Sequence, residues 1–326
     1  MSSLVAGYGH AFPSRIVTND DLSKTLDTSD SWVTSRTGIV TRRIAAKEDS
    51  TASLGARAAE NAMAAGQCAA NDIDAIILAT TTPDHPMPST AAKIQSMIGA
   101  RKAFAFDVQA VCSGFIYALS IADHFIKGGA VKNVLVIGAE VMSKVLDWTD
   151  RSTCVLFGDG AGALLLQAKE TSDRGEALPI ARGVLSTHLF SDGNFYDMLY
   201  VDGQATSSNP CGVLKMNGRA VFAAAVEKMV ESSELALAHN QLQLNDIDWF
   251  VAHQANKRII DAVAERLGIP EEKVIITVDK YANTSAATIP STLSIAASER
   301  RILPGHTLLL SAIGGGFTWG AAVLKW

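Results

Sequence analysis

Cys112, His253 and Asn283 each stand where a short apolar run gives way to a helix or a loop. Cys112 follows FAFDV and opens the run SGFIYALSIADHFI, so its thiol sits at the positive end of a helix dipole. An ordinary thiol, with a pKa of about 8.5, is only a few per cent thiolate at pH 7. A helix N-terminus worth up to ~2 kcal/mol lowers that pKa by about 1.5 units, enough to bring roughly half to thiolate. Taken alone, the position fits a buried small hydrophobe better. His253 ends the run WFVAH, at the strand end where α/β sheets bind ligands, though a structural histidine fits there equally. Asn283 follows VIITV, read as a strand; alone it would be a turn or cap residue. Cysteine with histidine and asparagine is a known nucleophilic grouping, so the three are stronger together than apart.

The elements that must position them alternate between β-branched runs and Ala-rich helical stretches. Strands are expected at Ala75–Ala79, near Ala103–Val108 and near Val134–Ile137. Helices are expected over Ser89–Gly99, near Ser113–Lys127 and over Asn256–Leu267, the last stopped by Gly268. That rhythm belongs to a mostly parallel sheet covered by helices. Asn-Asp-Ile-Asp occurs at Asn71–Asp74 and again at Asn245–Asp248; Leu-Ser-Ile-Ala occurs at Leu119–Ala122 and Leu293–Ala296. Both pairs share one offset of 174 residues (71 to 245, 119 to 293). This argues for an internal duplication, two similar α/β halves with a polar seam in Lys169–Gly183, divided as 1–172 and 173–326. In that alignment Asp107 matches Asp279, which puts Cys112 and Asn283 at nearly equivalent places. GDGAGA at Gly158–Ala163 lacks the spacing of a dinucleotide loop and reads as a tight turn between strands.

Bulk properties narrow the function. A net charge of −5 gives no support for nucleic-acid binding. No apolar stretch is long enough to span a membrane and no secretion signal opens the chain, so a cytoplasmic protein is expected. The cysteines Cys68, Cys112, Cys154 and Cys211 then read as free thiols. The histidines have no metal-ligand spacing, and no metal or cofactor is expected.

At these residues the chain resembles the thiolase-like condensing enzymes, specifically the β-ketoacyl-acyl carrier protein synthase III family. The resemblance rests on DVQAVCSGFIYAL, VAHQANKRII, YANTSAATIP, GGGFTWGAA and SWVTSRTGI and covers essentially the whole chain. It implies a thiolase-like fold layered α-β-α-β-α. It also implies decarboxylative condensation of an acyl-coenzyme A primer with malonyl-acyl carrier protein, which initiates type II fatty acid synthesis. Cys112 resembles the acyl-accepting nucleophile, and His253 and Asn283 the pair on the malonyl thioester carbonyl. Gly315 resembles the residue whose N–H joins that of Cys112 in an oxyanion hole. Trp32, Arg36 and Arg151 match positions that contact coenzyme A, and Gln254, Lys257 and Arg258 match carrier-docking positions. Met87, Phe222 and Phe317 match the acyl pocket. The family is homodimeric, and residue 87 of one subunit shapes the acyl pocket of the other. Ala223 and Glu265 stand where close relatives are basic, so the carrier-docking patch is thinner here.

A developing enolate needs hydrogen-bond donors rather than a strong base, which a neutral histidine and an asparagine supply. A degradative thiolase would need a second cysteine near GGGFTWG, and none follows Cys211. A condensing enzyme of chalcone or alkylquinolone type, or an acyltransferase acting without decarboxylation, remains an alternative.

Overall fold

Residues of the central strands are buried on both faces, and the two faces feed two different cores. The computed structural model describes residues 1–169, 182–203 and 212–326. Its first sheet contains β1 (Ser2–Ala11), β2 (Ala75–Ala79), β3 (Phe104–Val108), β4 (Asn133–Val141) and β5 (Asp159–Lys169). Their order is β1-β5-β4-β2-β3, with β4, β2 and β3 parallel and β5 antiparallel to both β1 and β4. The second sheet contains β6 (Gly183–Ser191), β7 (Trp249–Ala252), β8 (Thr307–Gly314) and β9 (Thr318–Lys325), in the order β7-β8-β9-β6. In β2, Ile77 points into the core between the sheets, while Ile76 and Leu78 point to the outer core. β4 repeats the pattern with Val134 and Val136 inward and Leu135 and Ile137 outward.

Seven helices matter here: α1 (Asp30–Thr37), α2 (Thr51–Ala65), α3 (Thr90–Met97), α4 (Gly114–Lys127), α5 (Gly218–His239), α6 (Lys257–Leu267) and α7 (Thr288–Ser298). α4 and α7 lie between the sheets and touch strands of both. α2 and α3 cover the outer face of the first sheet; α5 covers that of the second, and α6 packs against α5. The result is the expected five-layered α/β architecture. α4 can occupy the middle because Phe115, Ile116, Leu119 and Ile126 are all fully buried. Each such side chain contributes about 1.5–3 kcal/mol relative to exposure. No helix among the described residues is long and apolar enough to cross a membrane.

The duplication runs deeper than the two tetrapeptides. The pairs β2 and β7, α4 and α7, and β4 and β8 each begin at the same 174-residue offset (75 to 249, 114 to 288, 133 to 307). So do the 3-10 turns Val111–Ser113 and Ser285–Ala287. The last aspartate of each tetrapeptide does the same work. Asp74 accepts the Asn133 N–H at 2.9 Å, and Asp248 accepts the Thr307 N–H at 2.7 Å.

Three expectations are corrected. Asp107 does not pair with Asp279: it lies in β3 and caps α3 through the N–H groups of Thr90 and Ala91, whereas Asp279 lies in the helical turn Val278–Tyr281. The common offset instead pairs Cys112 with Ala286 and Asn283 with Gln109. GDGAGA is no turn. From Asp159 onward it is the start of β5, where a Cβ on Gly162 would lie 2.2 Å from the Ser291 N–H nitrogen, so the glycine lets α7 close on the strand. Val274–Val278 is not a strand; only a single bridge joins Phe250 to Val274, and the backbone beyond it is satisfied by a side chain described below. The seam dividing 1–172 from 173–326, and Cys211, lie outside the described residues.

Candidate active site

Cys112 sits in the 3-10 turn Val111–Ser113 that leads into α4, and it is 5% exposed. The turn is entered through Val111 at φ +47°, a left-handed conformation that costs a β-branched residue about 1–2 kcal/mol. A Cβ on Gly314 would lie 2.6 Å from the Cys112 nitrogen, so only glycine lets the end of β8 pass this close to the Cys112 backbone. Burial pushes the Cys112 thiol up to about 12, against the lowering effect of the Ser285 hydroxyl. The helix dipole therefore does not by itself hold half of this thiol as thiolate: desolvation outweighs it.

Two chambers meet at Cys112. One, of about 300 Å³, is lined by Cys112, Gly315, Thr81, Met142, Val145 and Leu199 among others. The other, of about 540 Å³, brings Cys112 together with His253 and Asn283, and Arg36, Arg219 and Arg258 also line it. The three residues singled out by type and spacing thus face one space, although the first comes from one half and the others from the second.

His253 follows β7 and is 2% exposed. Burial lowers its pKa to about 3, so the imidazole is neutral. Its Nδ1 lies 2.7 Å from the Thr288 Oγ1, at the first turn of α7. Asn283 is held by the bridge to Phe157, with its N–H donating to Leu156 O at 2.9 Å. Its Oδ1 accepts the Ser285 N–H at 2.8 Å, which leaves the amide NH2 as the group available to the chamber.

Around the larger chamber, the Arg36 and Arg151 guanidinium carbons lie 4.6 and 5.2 Å from the centre of the Trp32 ring. Arg151 also pairs with the Asp27 carboxylate at 2.9 Å. The Arg258 guanidinium lies 5.8 Å from the Phe222 ring. Lys257, its neighbour on α6, is engaged by Asp261 at 2.8 Å.

Several assignments change with the structure. Gln254 cannot dock a carrier: it is 1% exposed, and its amide is spent on backbone. It donates to Ala252 O and Ile275 O and accepts from Thr277 N–H and Val278 N–H. That side chain replaces the neighbouring strand which Val274–Val278 lacks. Phe222 lines the larger, arginine-bearing chamber rather than the smaller one. Phe317 lines neither; it is 2% exposed and stacks on Phe195 at 5.0 Å. Met87 is 84% exposed and lines neither chamber of its own chain.

Sequence reasoning passed over Ser285, Thr288 and Glu140. Only Glu140 left a local signal, as a charge inside the apolar strand β4. Among the described residues, no cluster of three or more histidine, cysteine or carboxylate side chains could hold a metal ion.

Residues 106–193 match the family model for 3-oxoacyl-[acyl-carrier-protein (ACP)] synthase III, and residues 237–326 match that for its C-terminal part. The chain is 53% identical over 323 residues to the beta-ketoacyl-[acyl-carrier-protein] synthase III of Paramagnetospirillum magneticum, covering 99% of this chain and 98% of that one. It is 52% identical over 324 residues to the same-named protein of Rhizobium rhizogenes, covering 99% of each. The crystal structure of 3-oxoacyl-[acyl-carrier-protein] synthase III from Aquifex aeolicus superimposes with a TM-score of 0.92 at 44% identity, covering 99% of this chain and 100% of that one.

Proposed function

The chain belongs to the 3-oxoacyl-[acyl-carrier-protein] synthase III family, and from that premise we propose that Cys112, His253 and Asn283 divide its two half-reactions between them. The enzyme condenses an acyl-coenzyme A primer with malonyl-acyl carrier protein, releasing carbon dioxide and coenzyme A and starting fatty acid synthesis. The observation that carries the division of labour is the shared chamber in which one thiol meets two neutral hydrogen-bond donors.

In the first half-reaction the Cys112 sulfur attacks the primer thioester. The N–H groups of Cys112 and Gly315 receive the tetrahedral oxyanion, a role supported by the presence of both residues in the smaller chamber. Coenzyme A leaves as the acyl group passes to sulfur. The acyl chain enters the smaller chamber, past Met142, Val145 and Leu199. Coenzyme A lies against Trp32, Arg36 and Arg151, where cationic groups on an aromatic face suit a phosphate-bearing adenine nucleotide.

In the second half-reaction the malonyl thioester carbonyl meets His253 and Asn283. The Thr288 hydroxyl has two acceptors in reach, Ser285 O at 3.0 Å and Nδ1 of His253 at 2.7 Å; the Thr288 N–H also serves Ser285 O, so the hydroxyl can turn its proton to the nearer Nδ1. That places the ring's own proton on Nε2, ready for the carbonyl. The Asn283 amide supplies the second donor. Each donor is worth about 2.7–4 kcal/mol toward the enolate left by carbon dioxide. The enolate carbon then attacks the acyl group on Cys112.

Arg258 and Lys257 form the carrier-docking rim; Arg258 contributes more, since Asp261 already partners Lys257. The enzyme works as a cytoplasmic homodimer without a cofactor. Among the described residues β3 is the edge of its sheet, and the Phe104, Phe106 and Phe125 rings cluster there, with Phe104 46% exposed. Pairing that edge with a second copy would cover this apolar cluster, and the partner's Met87 then closes the acyl chamber. The halves divide as 1–172 and 173–326. Intact-protein mass spectrometry after exposure to a panel of acyl-coenzyme A primers tests the reading. Mass gain at Cys112 that malonyl-carrier removes, with release of carbon dioxide, is expected; a protein that never gains the acyl mass would refute it.

A further inference from the structure

Beneath the nucleophile lies a buried acid that the two half-reactions do not use. Glu140, on β4, is 0% exposed. Its carboxyl group accepts from five donors: the hydroxyls of Thr80, Thr81 and Thr82 and the N–H groups of Thr81 and Thr82. None of them is cationic, so dipoles alone act against the burial that raises the Glu140 carboxyl. Ser285 is also 0% exposed, held at φ +51°, and its hydroxyl completes no hydrogen bond. Its turn packs against the elements that carry both acids: a Cβ on Gly138 of β4 would lie 2.3 Å from Ala286 O, and one on Gly114, two residues past Cys112, 3.6 Å from Ala286 Cβ, and the hydroxyl favours the ionised form of each acid.

We propose that Ser285 bridges Cys112 to Glu140, so that the two acids share one negative charge and Glu140 holds the proton Cys112 gives up during acyl transfer. The inference rests on Cys112 being the nucleophile. The serine has a single hydroxyl proton, which can go to a thiolate or to a carboxylate but not to both. Like charge prevents both acids from ionising together, and Glu140 does raise the Cys112 thiol. The step balances: the thiol proton passes to the Ser285 oxygen as the serine's own proton passes to a Glu140 oxygen. Thiolate attack then expels the coenzyme A thiolate, which takes a proton from solvent; Glu140 keeps its own until condensation frees the Cys112 thiolate, which takes it back through Ser285. The other ionisable groups lining the space at Cys112 are His253, which burial keeps neutral, Arg36, Arg219 and Arg258 in the larger chamber, and Tyr196 and Tyr200 in the smaller. Facing Glu140 are Cys112, Ser285 and the hydroxyls of Thr80, Thr81 and Thr82. Ser285 and Glu140 are positioning residues in this scheme, since neither touches the substrate.

An internally shared proton makes thiolate content independent of pH, whereas an isolated thiol gains about tenfold per pH unit below its pKa. The test is the rate of Cys112 alkylation by iodoacetamide, followed by peptide mass spectrometry from pH 6 to pH 8. It compares the unaltered enzyme with Glu140→Gln and Ser285→Ala. The unaltered enzyme is expected to change less than about threefold, and each variant to rise about a hundredfold over those two units. A hundredfold rise in the unaltered enzyme, or a level profile in Ser285→Ala, overturns the proposal. If Glu140→Gln does not fold, Ser285→Ala decides alone, because alanine accepts the same backbone geometry as serine. Acylation of Cys112 by acyl-coenzyme A in the unaltered enzyme separates this outcome from failure of the nucleophile assignment.

Discussion

At the head of α4 the first half carries Cys112; at the head of α7, 174 residues on, the second half carries Ala286. Both turns are entered in the left-handed region, at Val111 (φ +47°) and Ser285 (φ +51°). The backbone device is the same, and only the side chains differ. Asn283 has Gln109 as its counterpart and His253 has Ala79, so each half carries a different part of the proposed chemistry. The supporting frames differ as well. In the first half β3 continues the sheet up to the nucleophile. In the second the equivalent strand has shrunk to one bridge, and Gln254 ties down the backbone that leads to Asn283. A duplicated scaffold can thus give a nucleophile a rigid strand end and give a hydrogen-bond donor a loop of its own.

The largest effect should come from moving the nucleophile between halves. Cys112→Ala is expected to abolish acyl labelling and lower condensation by at least about a thousandfold. Adding Ala286→Cys should restore nothing, because Ala286 packs on Gly138 and lines neither chamber. An acyl group found on residue 286 by peptide mass spectrometry would break the comparison.

The second half's role is probed by His253→Ala. It should still take the acyl label on Cys112 while malonyl decarboxylation falls about 10²–10³-fold. Since burial holds the imidazole near 3, decarboxylation by the unaltered enzyme should stay level as pH falls from 8 to 5.5. A drop centred near the ordinary histidine value of about 6.5 would show that His253 titrates as if exposed.

Loss of the strand substitute should appear as stability rather than chemistry. Gln254→Ala leaves two backbone N–H groups and two carbonyls without their side-chain partner. Urea unfolding should report a loss of about 2–3 kcal/mol, with acylation of Cys112 little changed. The smallest effect belongs to the rim. Arg258→Ala should raise KM for malonyl-carrier by about threefold to tenfold and leave acyl-coenzyme A labelling intact. Equal effects on both substrates would refute a carrier-specific rim.

The contrast between Gln254 and its neighbours shows where reading from residues stops. Cys112, His253 and Asn283 were legible because each punctuates a strand-to-helix or strand-to-loop boundary, and a boundary is a local pattern. α6 was legible for the same reason, with Asn256 accepting the Ile259 N–H and Gly268 in the left-handed region. Gln254 occupies the same surface-like VAHQANK context as Lys257 and Arg258, and nothing local distinguishes a side chain turned inward from two turned out. VIITV has every property of a strand, yet pairing needs a partner edge, and β7 meets it through a single bridge only.

By itself the sequence determined the alternation of elements, the duplication and the three side chains that the structure brings to one chamber, since these depend on periodicity, spacing and residue type. The tertiary structure alone decided how strongly each group holds its proton. The helix dipole at Cys112 is a local property, but the burial that overrides it comes from strands and turns far along the chain. The same packing set the Thr288 hydroxyl beside His253, and the Ser285 turn against the strand of Glu140 and the helix that follows Cys112. Desolvation and hydrogen bonding are sums over whatever surrounds a group in space, and here that surrounding is assembled from both halves.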